Sequence, residues 1–265
     1  MSPVKIEHGI YVVGHDHLGH GKSVSEGGSF GYFCEQDPAT VVVRDVHRLK
    51  KITEEQYPQV PYIILGHSMG SFIARNYLCR YGSGIGGAVI VGTGMQPAGL
   101  IFASKAMAGI QKLFCGSKHV SHFMDKAAFG GYNKRIDSPR TSSDWLSRNT
   151  ENVDRYIEDE LCGFTFTVNG FQTLFELIRR LQKQENLEKV PQNLPILMVS
   201  GAEDPVGDYG KGVHKACDSL KRAGVKNITV KLYENDRHEL LNEDDAEVAM
   251  EDIWQWICKE IPGIA

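Results

Sequence analysis

The sequence lacks the features that mark several large classes of protein. No apolar run reaches the roughly 18 residues that a membrane-spanning helix needs, and the first residues lack the charged and apolar regions of a signal peptide. A net charge of -4 and a pI of about 6.2 give no electrostatic reason to expect nucleic acid as a partner. Only six cysteines occur, widely spread and without a C-x-x-C pair. We therefore expect reduced thiols, a cytoplasmic location and no transmembrane segment.

The apolar residues that are present alternate between strand-like and helix-like spacing. Hydrophobic residues make up 42% and charged residues 23% of the 265 residues, as in ordinary soluble globular proteins. Short apolar runs predict buried strands at residues 10–13, 63–65, 87–94, 194–200 and 227–233. Apolar residues at helical spacing predict helices over residues 37–57, 71–80, 209–223 and 244–260. This alternation predicts an α/β fold with a mostly parallel sheet flanked by helices.

No convincing strand occurs in the long stretch 97–185, where helical segments alternate with loops. We therefore expect a helical cap, inserted after the third strand and dividing the α/β core into residues 1–96 and 186–265. Large apolar side chains are frequent in this stretch, among them Phe114, Phe123, Met124, Phe129, Trp145, Leu161, Phe164, Phe166, Phe171 and Phe175. Many of them are expected to form the core of the cap. We also expect some, with Phe164, Phe166 and Trp145 as candidates, to line an apolar substrate pocket.

A serine nucleophile is predicted where the second apolar run meets the following helix. The segment Gly66-His67-Ser68-Met69-Gly70 is a G-x-S-x-G pattern between a strand and a helix, which is typical of a nucleophile elbow. We expect Ser68 to take a strained conformation, and side chains at Gly66 and Gly70 to clash in so tight a turn. The hydroxyl would lie at a helix N-terminus, which favours developing negative charge. The N–H of Met69 is the predicted donor to the oxyanion.

Two further polar residues follow later strands and complete a catalytic triad in this prediction. Asp204 comes just after the strand at 194–200, and His238 follows the strand at 227–233. Since ligands of parallel sheets bind at the carboxyl ends of the strands, these side chains are expected to meet near Ser68. The chain order Ser, Asp, His is the order in which this fold carries out acyl transfer. His238 would act as the general base and Asp204 would orient its imidazole.

Three histidines, His15, His17 and His20, invite a different interpretation as metal ligands. No acidic ligand follows at a suitable position, and no second histidine cluster is spaced to complete a site. The neighbouring Gly21-Lys22-Ser23 resembles the end of a phosphate-binding loop, but the first glycine of that motif would fall at Asp16. We therefore predict a hydrolase without metal or cofactor.

The quoted motifs resemble those of a known family. Matching segments are 14–23, 66–70, 200–207 and 236–239, together with 141–148 and 161–164 in the predicted cap. They are similar to segments of the monoacylglycerol lipase and lysophospholipase group of α/β hydrolases, also described as serine aminopeptidase S33-like. The resemblance covers nearly the whole chain. It implies the α/β-hydrolase fold and hydrolysis of small-molecule lipid esters with an apolar acyl chain, without metal or cofactor.

One departure from the family concerns the N-terminal strands. Members normally begin with further strands, one of which is followed by a His-Gly loop that supplies part of the oxyanion hole. This sequence shows no such segment, so we expect the second oxyanion donor to be absent from the chain. The innermost missing strand would lie between the strands at 10–13 and 63–65. Its absence would leave an exposed sheet edge, through which two copies of the chain could associate.

Two other functions remain open on the sequence alone. The first is a peptidase that removes N-terminal residues, for which Glu158, Asp159 and Glu160 would bind the substrate's amine. These residues also suit a solvated helix face. The second is a catalytically impaired fragment or binding module that lacks half of the oxyanion hole.

Overall fold

Four apolar runs form the strands of one parallel sheet in the computed structural model, which describes residues 9–264. The strands are β1 (Ile63–His67), β2 (Gly87–Val91), β3 (Ile196–Gly201) and β4 (Ile228–Tyr233). They lie in the order β1-β2-β3-β4, and each pairs in parallel with the next. The predicted parallel sheet is therefore confirmed. The first eight residues begin the first part of the predicted core and carry the expectation about a signal peptide, and they lie outside the described residues.

Helices connect the strands and cover both faces of the sheet. Within residues 9–264, the α-helices are α1 (Pro38–Gln56), α2 (Met69–Tyr81), α3 (Ala98–Cys115), α4 (His122–Phe129), α5 (Thr150–Glu158), α6 (Val168–Leu181), α7 (Gln184–Leu187), α8 (Lys211–Arg222) and α9 (Ala246–Glu260). Single turns of 3₁₀ helix lie at Gly21–Ser23, Gly82–Gly84, Tyr132–Arg135, Asp144–Leu146 and Leu240–Asn242. None of these helices is long and apolar enough to cross a bilayer.

Successive side chains of the central strands point to opposite faces of the sheet, so the buried core consists of one cluster on each face. Ala88 and Ile90 of β2 pack in the larger cluster, to which helices α1, α2, α6 and α8 also contribute buried side chains. Val89 and Val91 point to the other face, where α9 covers them. Because successive strand residues face opposite sides, a strand that is buried on both faces must be apolar throughout. This explains the unbroken apolar runs that predicted β2 and β3.

The predicted strand at residues 10–13 is wrong. These residues have no regular secondary structure, and residues 10–16 form no backbone-to-backbone hydrogen bond with the described part of the chain. Tyr11 is exposed and its ring lies 4.6 Å from that of Tyr57. A β-strand requires a neighbour for its N–H and C=O groups, and within residues 9–264 β1 pairs only with β2. β1 is thus an edge strand, and 42% of the Leu65 surface is exposed.

The stretch between β2 and β3 is helical, and two strands precede it within the described part of the chain rather than the three that were expected. It contains α3 to α7 and, among its described residues, a single isolated β-bridge between Val120 and Thr167. Helix α6 packs against α2 and α3, and so links this stretch to the core. The carboxyl ends of the strands face it.

Candidate active site

The backbone at Ser68 has the geometry of a nucleophile elbow. Ser68 separates the end of β1 from the start of α2, and its φ of 55° and ψ of -121° are strained for a residue with a side chain. Its N–H donates to the Val91 carbonyl at 3.1 Å, which ties the turn to β2. A Cβ atom at Gly66 would lie 2.3 Å from the Gly70 oxygen. The predicted clash is therefore present at Gly66, but it is wrong for Gly70, where a Cβ would meet no atom within 4 Å.

This difference predicts that the two glycines tolerate alanine unequally. Gly66→Ala should force the elbow apart, because the obstructing atoms belong to the backbone of Gly70 and cannot turn away. We expect the unfolding free energy of this variant to fall by about 2 kcal/mol or more, and most of its ester hydrolysis to be lost. Gly70→Ala is the matched control and should change stability by less than about 1 kcal/mol. Urea unfolding with a p-nitrophenyl ester assay measures both, and equal losses in the two variants would contradict the elbow geometry.

Asp204 and His238 form a buried pair at the ends of β3 and β4. The Nδ1 atom of His238 lies 3.0 Å from Asp204 Oδ2, and both side chains are almost completely buried. Asp204 also accepts hydrogen bonds from the Ser200 hydroxyl at 3.1 Å and from the Val206 N–H at 2.8 Å. Burial by itself raises the pKa of Asp204, but the charge of His238 and these hydrogen bonds outweigh it and hold the pKa below its ordinary value. Asp204 is therefore the ionised partner that fixes the His238 ring.

His67, next to the serine, holds the His238 backbone. Its Nε2 lies 2.9 Å from the His238 carbonyl oxygen, so it donates this hydrogen bond, and the two rings are 4.6 Å apart. Burial, followed by the nearby charge of His238, lowers the pKa of His67 to about 4. His67 is thus neutral at ordinary pH and adds no charge beside His238. Close approach of these rings needs Gly92, where a Cβ would lie 3.1 Å from the His238 ring.

A polar clamp joins the His238 loop to the segment before α5. The Glu243 carboxylate accepts from the Ser147 hydroxyl and from the backbone N–H groups of Arg148 and Arg237, at 2.8 to 2.9 Å. The Arg237 guanidinium donates to the Ser147 carbonyl at 3.1 Å. Because Glu243 is almost fully buried, these bonds are shielded from water and fix the loop firmly.

The structure brings Ser68 to the same edge of the sheet as this pair but does not join them. The Ser68 hydroxyl and His238 share no hydrogen bond here. Such bonds are often long in enzymes without substrate. The Met69 N–H is in the first turn of α2 and donates to no other described group, so it is free to bind an oxyanion. The absence of a second oxyanion donor from this chain stays a prediction.

A row of aromatic rings leads away from His238 through the cap. The Trp145 ring lies 5.1 Å from that of His238, and Phe129 stacks on Trp145 at 6.5 Å. Phe171 continues the row at 6.3 Å from Phe129, and Phe166 lies 5.8 Å beyond it. Of the three predicted pocket residues, only Trp145 contacts the ring of His238. Phe166 belongs to the far end of the row.

Phe164 lies further out, in a cluster at the surface. Its ring is 5.9 Å from Phe166, 5.0 Å from Phe30 and 5.2 Å from His20. His20, one of the three histidines considered as metal ligands, is therefore packed among phenylalanines, and its Nδ1 bonds to the Leu18 carbonyl. No group of three potential metal ligands comes together within residues 9–264.

Comparison with known proteins identifies the family. The chain is 29% identical to the monoglyceride lipase of Mus musculus over 236 residues, which cover 88% of this chain and 68% of that protein. A highly thermostable carboxyl esterase from Bacillus coagulans, solved in complex with glycerol, superimposes with a TM-score of 0.90 at 29% identity. It covers 99% of this chain and 84% of its own.

A lipase in its open form superimposes with a TM-score of 0.84 at 26% identity, over 96% of this chain and 82% of its own. The model of the Hydrolase_4 family, described as serine aminopeptidase S33, matches residues 6–245. The match spans most of the chain, including the elbow and both members of the buried pair. The chain therefore belongs to the serine aminopeptidase S33 family of α/β hydrolases.

Proposed function

We propose that this chain is a serine hydrolase that cleaves carboxylic esters of apolar acyl chains, of the monoacylglycerol or lysophospholipid type. The observation that carries the proposal is the buried pair of Asp204 and His238 at the same sheet edge as the strained Ser68. The names of its relatives, a monoglyceride lipase and a carboxyl esterase among them, support ester chemistry.

The reaction follows from the roles of these groups. Ser68 attacks the ester carbonyl carbon while His238 takes the hydroxyl proton on Nε2, and Asp204 stabilises the resulting imidazolium. The Met69 N–H donates to the oxyanion of the tetrahedral intermediate. The intermediate then expels the alcohol, which takes the proton from His238 and leaves an acyl group on Ser68. Water repeats the sequence, which releases the carboxylic acid and restores the serine.

The aromatic row defines the expected preference for the acyl chain. The partly buried rings of Trp145 and Phe129 offer apolar contacts that begin beside His238, where the acyl carbonyl would lie. Each methylene buried against them is worth roughly 0.8 kcal/mol, or about a fourfold gain in kcat/KM. We therefore expect kcat/KM to rise steadily from acetyl to octanoyl p-nitrophenyl esters. A preference for acetyl esters would contradict the apolar pocket.

The exposed face of α3 suits a substrate held in a lipid aggregate. Leu113 and Phe114 are each 84% exposed, and Phe102 and Ile110 lie on the same side of the helix. Exposed apolar patches of this kind mark contact surfaces, and a helix with one apolar face can lie in the surface of a lipid layer. The cap would thus be placed against the layer from which a poorly soluble ester is taken.

Leu113→Ser tests this contact with aggregated substrate. We expect the rate on emulsified long-chain monoacylglycerol to fall roughly three- to tenfold, because an apolar group that entered the lipid is lost. The rate on dissolved p-nitrophenyl butyrate should stay unchanged. Val248→Ser, which removes an exposed apolar side chain from α9, is the control. Equal losses on both substrates would contradict the proposed role of α3.

The aminopeptidase alternative receives little support from the site. Glu158, Asp159 and Glu160 are exposed at the end of α5, and the Asp159 carboxylate accepts from the Leu161 N–H. This arrangement fits the solvated face that the sequence also allowed. Aminoacyl anilides should accordingly be poorer substrates than octanoyl esters.

A further inference from the structure

A basic cleft lies between the segment after α4 and the loops that follow β3 and β4. A cavity of about 250 Å³ opens beside a shallower groove of about 590 Å³, and the two share Tyr132, Arg135 and Tyr209. The remaining lining of the cavity is Ile136, Trp145, Arg148, Glu203, Asn235 and Arg237. Ser68 and His238 do not line either space. The cleft is therefore separate from the catalytic groups.

The lining of the cleft contains more cations than carboxylates, although the chain as a whole is acidic. Lys126, Lys134 and Arg135 line it, and none of them forms an ion pair with a described carboxylate. Arg237 donates only to the main-chain carbonyls of Asp144 and Ser147, so its charge is not neutralised either.

The lining offers little negative charge in return. Arg148 is the one cation of the lining with carboxylate partners among the described residues, and these are Asp236, Glu243 and Asp245. Glu203 is the only acidic residue in the lining of either space. Unpaired cations this close together repel one another, and an anion between them would relieve the repulsion.

Two residues that line the cleft, Tyr209 and Asn235, have a left-handed backbone conformation. The Arg135 guanidinium lies over the Tyr209 ring, 3.4 Å from its centroid. Asp208 and Tyr209 both have left-handed backbone conformations, with φ of 48° and 54°, and Asn235 on the opposite loop has a φ of 69°. A left-handed tyrosine is unfavourable, and such strain concentrates where a binding site needs a side chain in a fixed position. Stacking on Tyr209 thus holds the guanidinium fork of Arg135 in place.

We propose that this cleft binds a small organic phosphate monoester. A phosphate dianion matches several unpaired cations, and guanidinium groups bind its oxygens through paired N–H donors. The three rings of Tyr132, Tyr209 and Trp145 provide surface for the uncharged body of the ligand. The volume suits a small molecule rather than an extended polymer.

The cleft lies next to the proposed catalytic residues, although neither Ser68 nor His238 lines it. Arg237 precedes His238 in the chain, and Trp145 contributes one ring both to the cleft and to the row that begins at His238. A bound phosphate would meet no nucleophile, because Ser68 does not reach the cleft. The ligand is thus distinct from the ester substrate, and its binding can be measured without turnover.

Isothermal titration calorimetry of the Ser68→Ala chain with glycerol 3-phosphate tests the proposal independently of ester hydrolysis. At constant ionic strength we expect saturable binding at one site and no binding of glycerol. Arg135→Gln and, as a second variant, Lys134→Gln should each weaken binding about tenfold or more, since each removes a charged partner. Lys112→Gln removes the same charge from the exposed side of α3 and should leave the affinity within about twofold.

Several results would overturn the proposal. Equal affinities of the Arg135→Gln and Lys112→Gln variants would show general attraction of anions. Equal affinity for inorganic phosphate and glycerol 3-phosphate would show that the rings contact no organic body. Failure to bind either phosphate, together with Arg135-dependent binding to phosphatidylglycerol vesicles, would assign the cleft to a lipid surface instead.

Discussion

Replacing Ser68 by alanine is expected to abolish ester hydrolysis while the fold stays intact. The side chain carries the attacking oxygen, and nothing else at the elbow can form the acyl intermediate. Loss of the nucleophile in a triad lowers the rate by roughly 10⁶, as in subtilisin. The backbone strain at Ser68 arises from the turn and not from the hydroxyl, so alanine takes the same conformation. The hydrolysis of p-nitrophenyl octanoate measures the loss, and the thermal unfolding midpoint measures the fold.

Ser142→Ala, which removes a hydroxyl from an exposed position in the cap, is the matched control and should keep full activity. Retention of more than about a tenth of the wild-type rate by Ser68→Ala would remove Ser68 from its proposed role.

Asp204→Asn should be the next most severe change. The carboxylate accepts the Nδ1 proton of His238, and Oδ1 accepts the Val206 N–H. In the asparagine, Oδ1 would keep the Val206 bond and the amide NH₂ would face His238. The imidazole would then carry its proton on Nε2 and could not accept the proton of Ser68. An aspartate-to-asparagine change of this kind lowers kcat by about 10⁴ in a serine protease.

Asp208→Asn is the control for this prediction. It also replaces a carboxylate by an amide, but four residues later, at an exposed position whose left-handed backbone suits asparagine. We expect wild-type kcat from it. If Asp204→Asn lost less than about tenfold in kcat, His238 would not depend on the carboxylate, and the pair would be structural only.

The sequence was sufficient for the parts of the molecule that local patterns determine. The apolar runs of β2 and β3 lie on central strands that are buried on both faces, those of β1 and β4 lie on the strands that flank them, and helices α1, α2, α8 and α9 follow the predicted spacing within a few residues. The positions of Asp204 and His238 followed from a simple rule, that parallel strands end at one edge of the sheet. Their contact at 3.0 Å is the consequence of that topology.

The errors occurred where the outcome depends on partners distant in the chain. Residues 10–13 have the composition of a strand, but no strand lies beside them among the described residues, so they remain irregular. The Gly70 carbonyl crowds the position that a Cβ atom of Gly66 would occupy, whereas the Cβ position of Gly70 itself is open. Sequence spacing does not report such distances.

The supporting residues of His238 were also missed, for a related reason. The G-x-S-x-G pattern leaves the position of His67 unspecified, although His67 donates to the His238 carbonyl across 171 residues of chain. Glu243 joins the His238 loop to the cap through hydrogen bonds that no local pattern indicates. The one feature of the sequence that pointed to this support of His238 was the histidine directly before Ser68.

The central claim is that Ser68 is the nucleophile of an ester hydrolase, and covalent labelling tests it most directly. The purified chain is incubated with an alkyl fluorophosphonate, and the adduct is located by mass spectrometry of the intact chain and of its peptides. We predict one adduct per chain, on Ser68, with the Asp204→Asn variant labelled far more slowly because His238 no longer accepts the proton. An unlabelled chain that still hydrolyses esters, or an adduct on a different residue, would contradict the account.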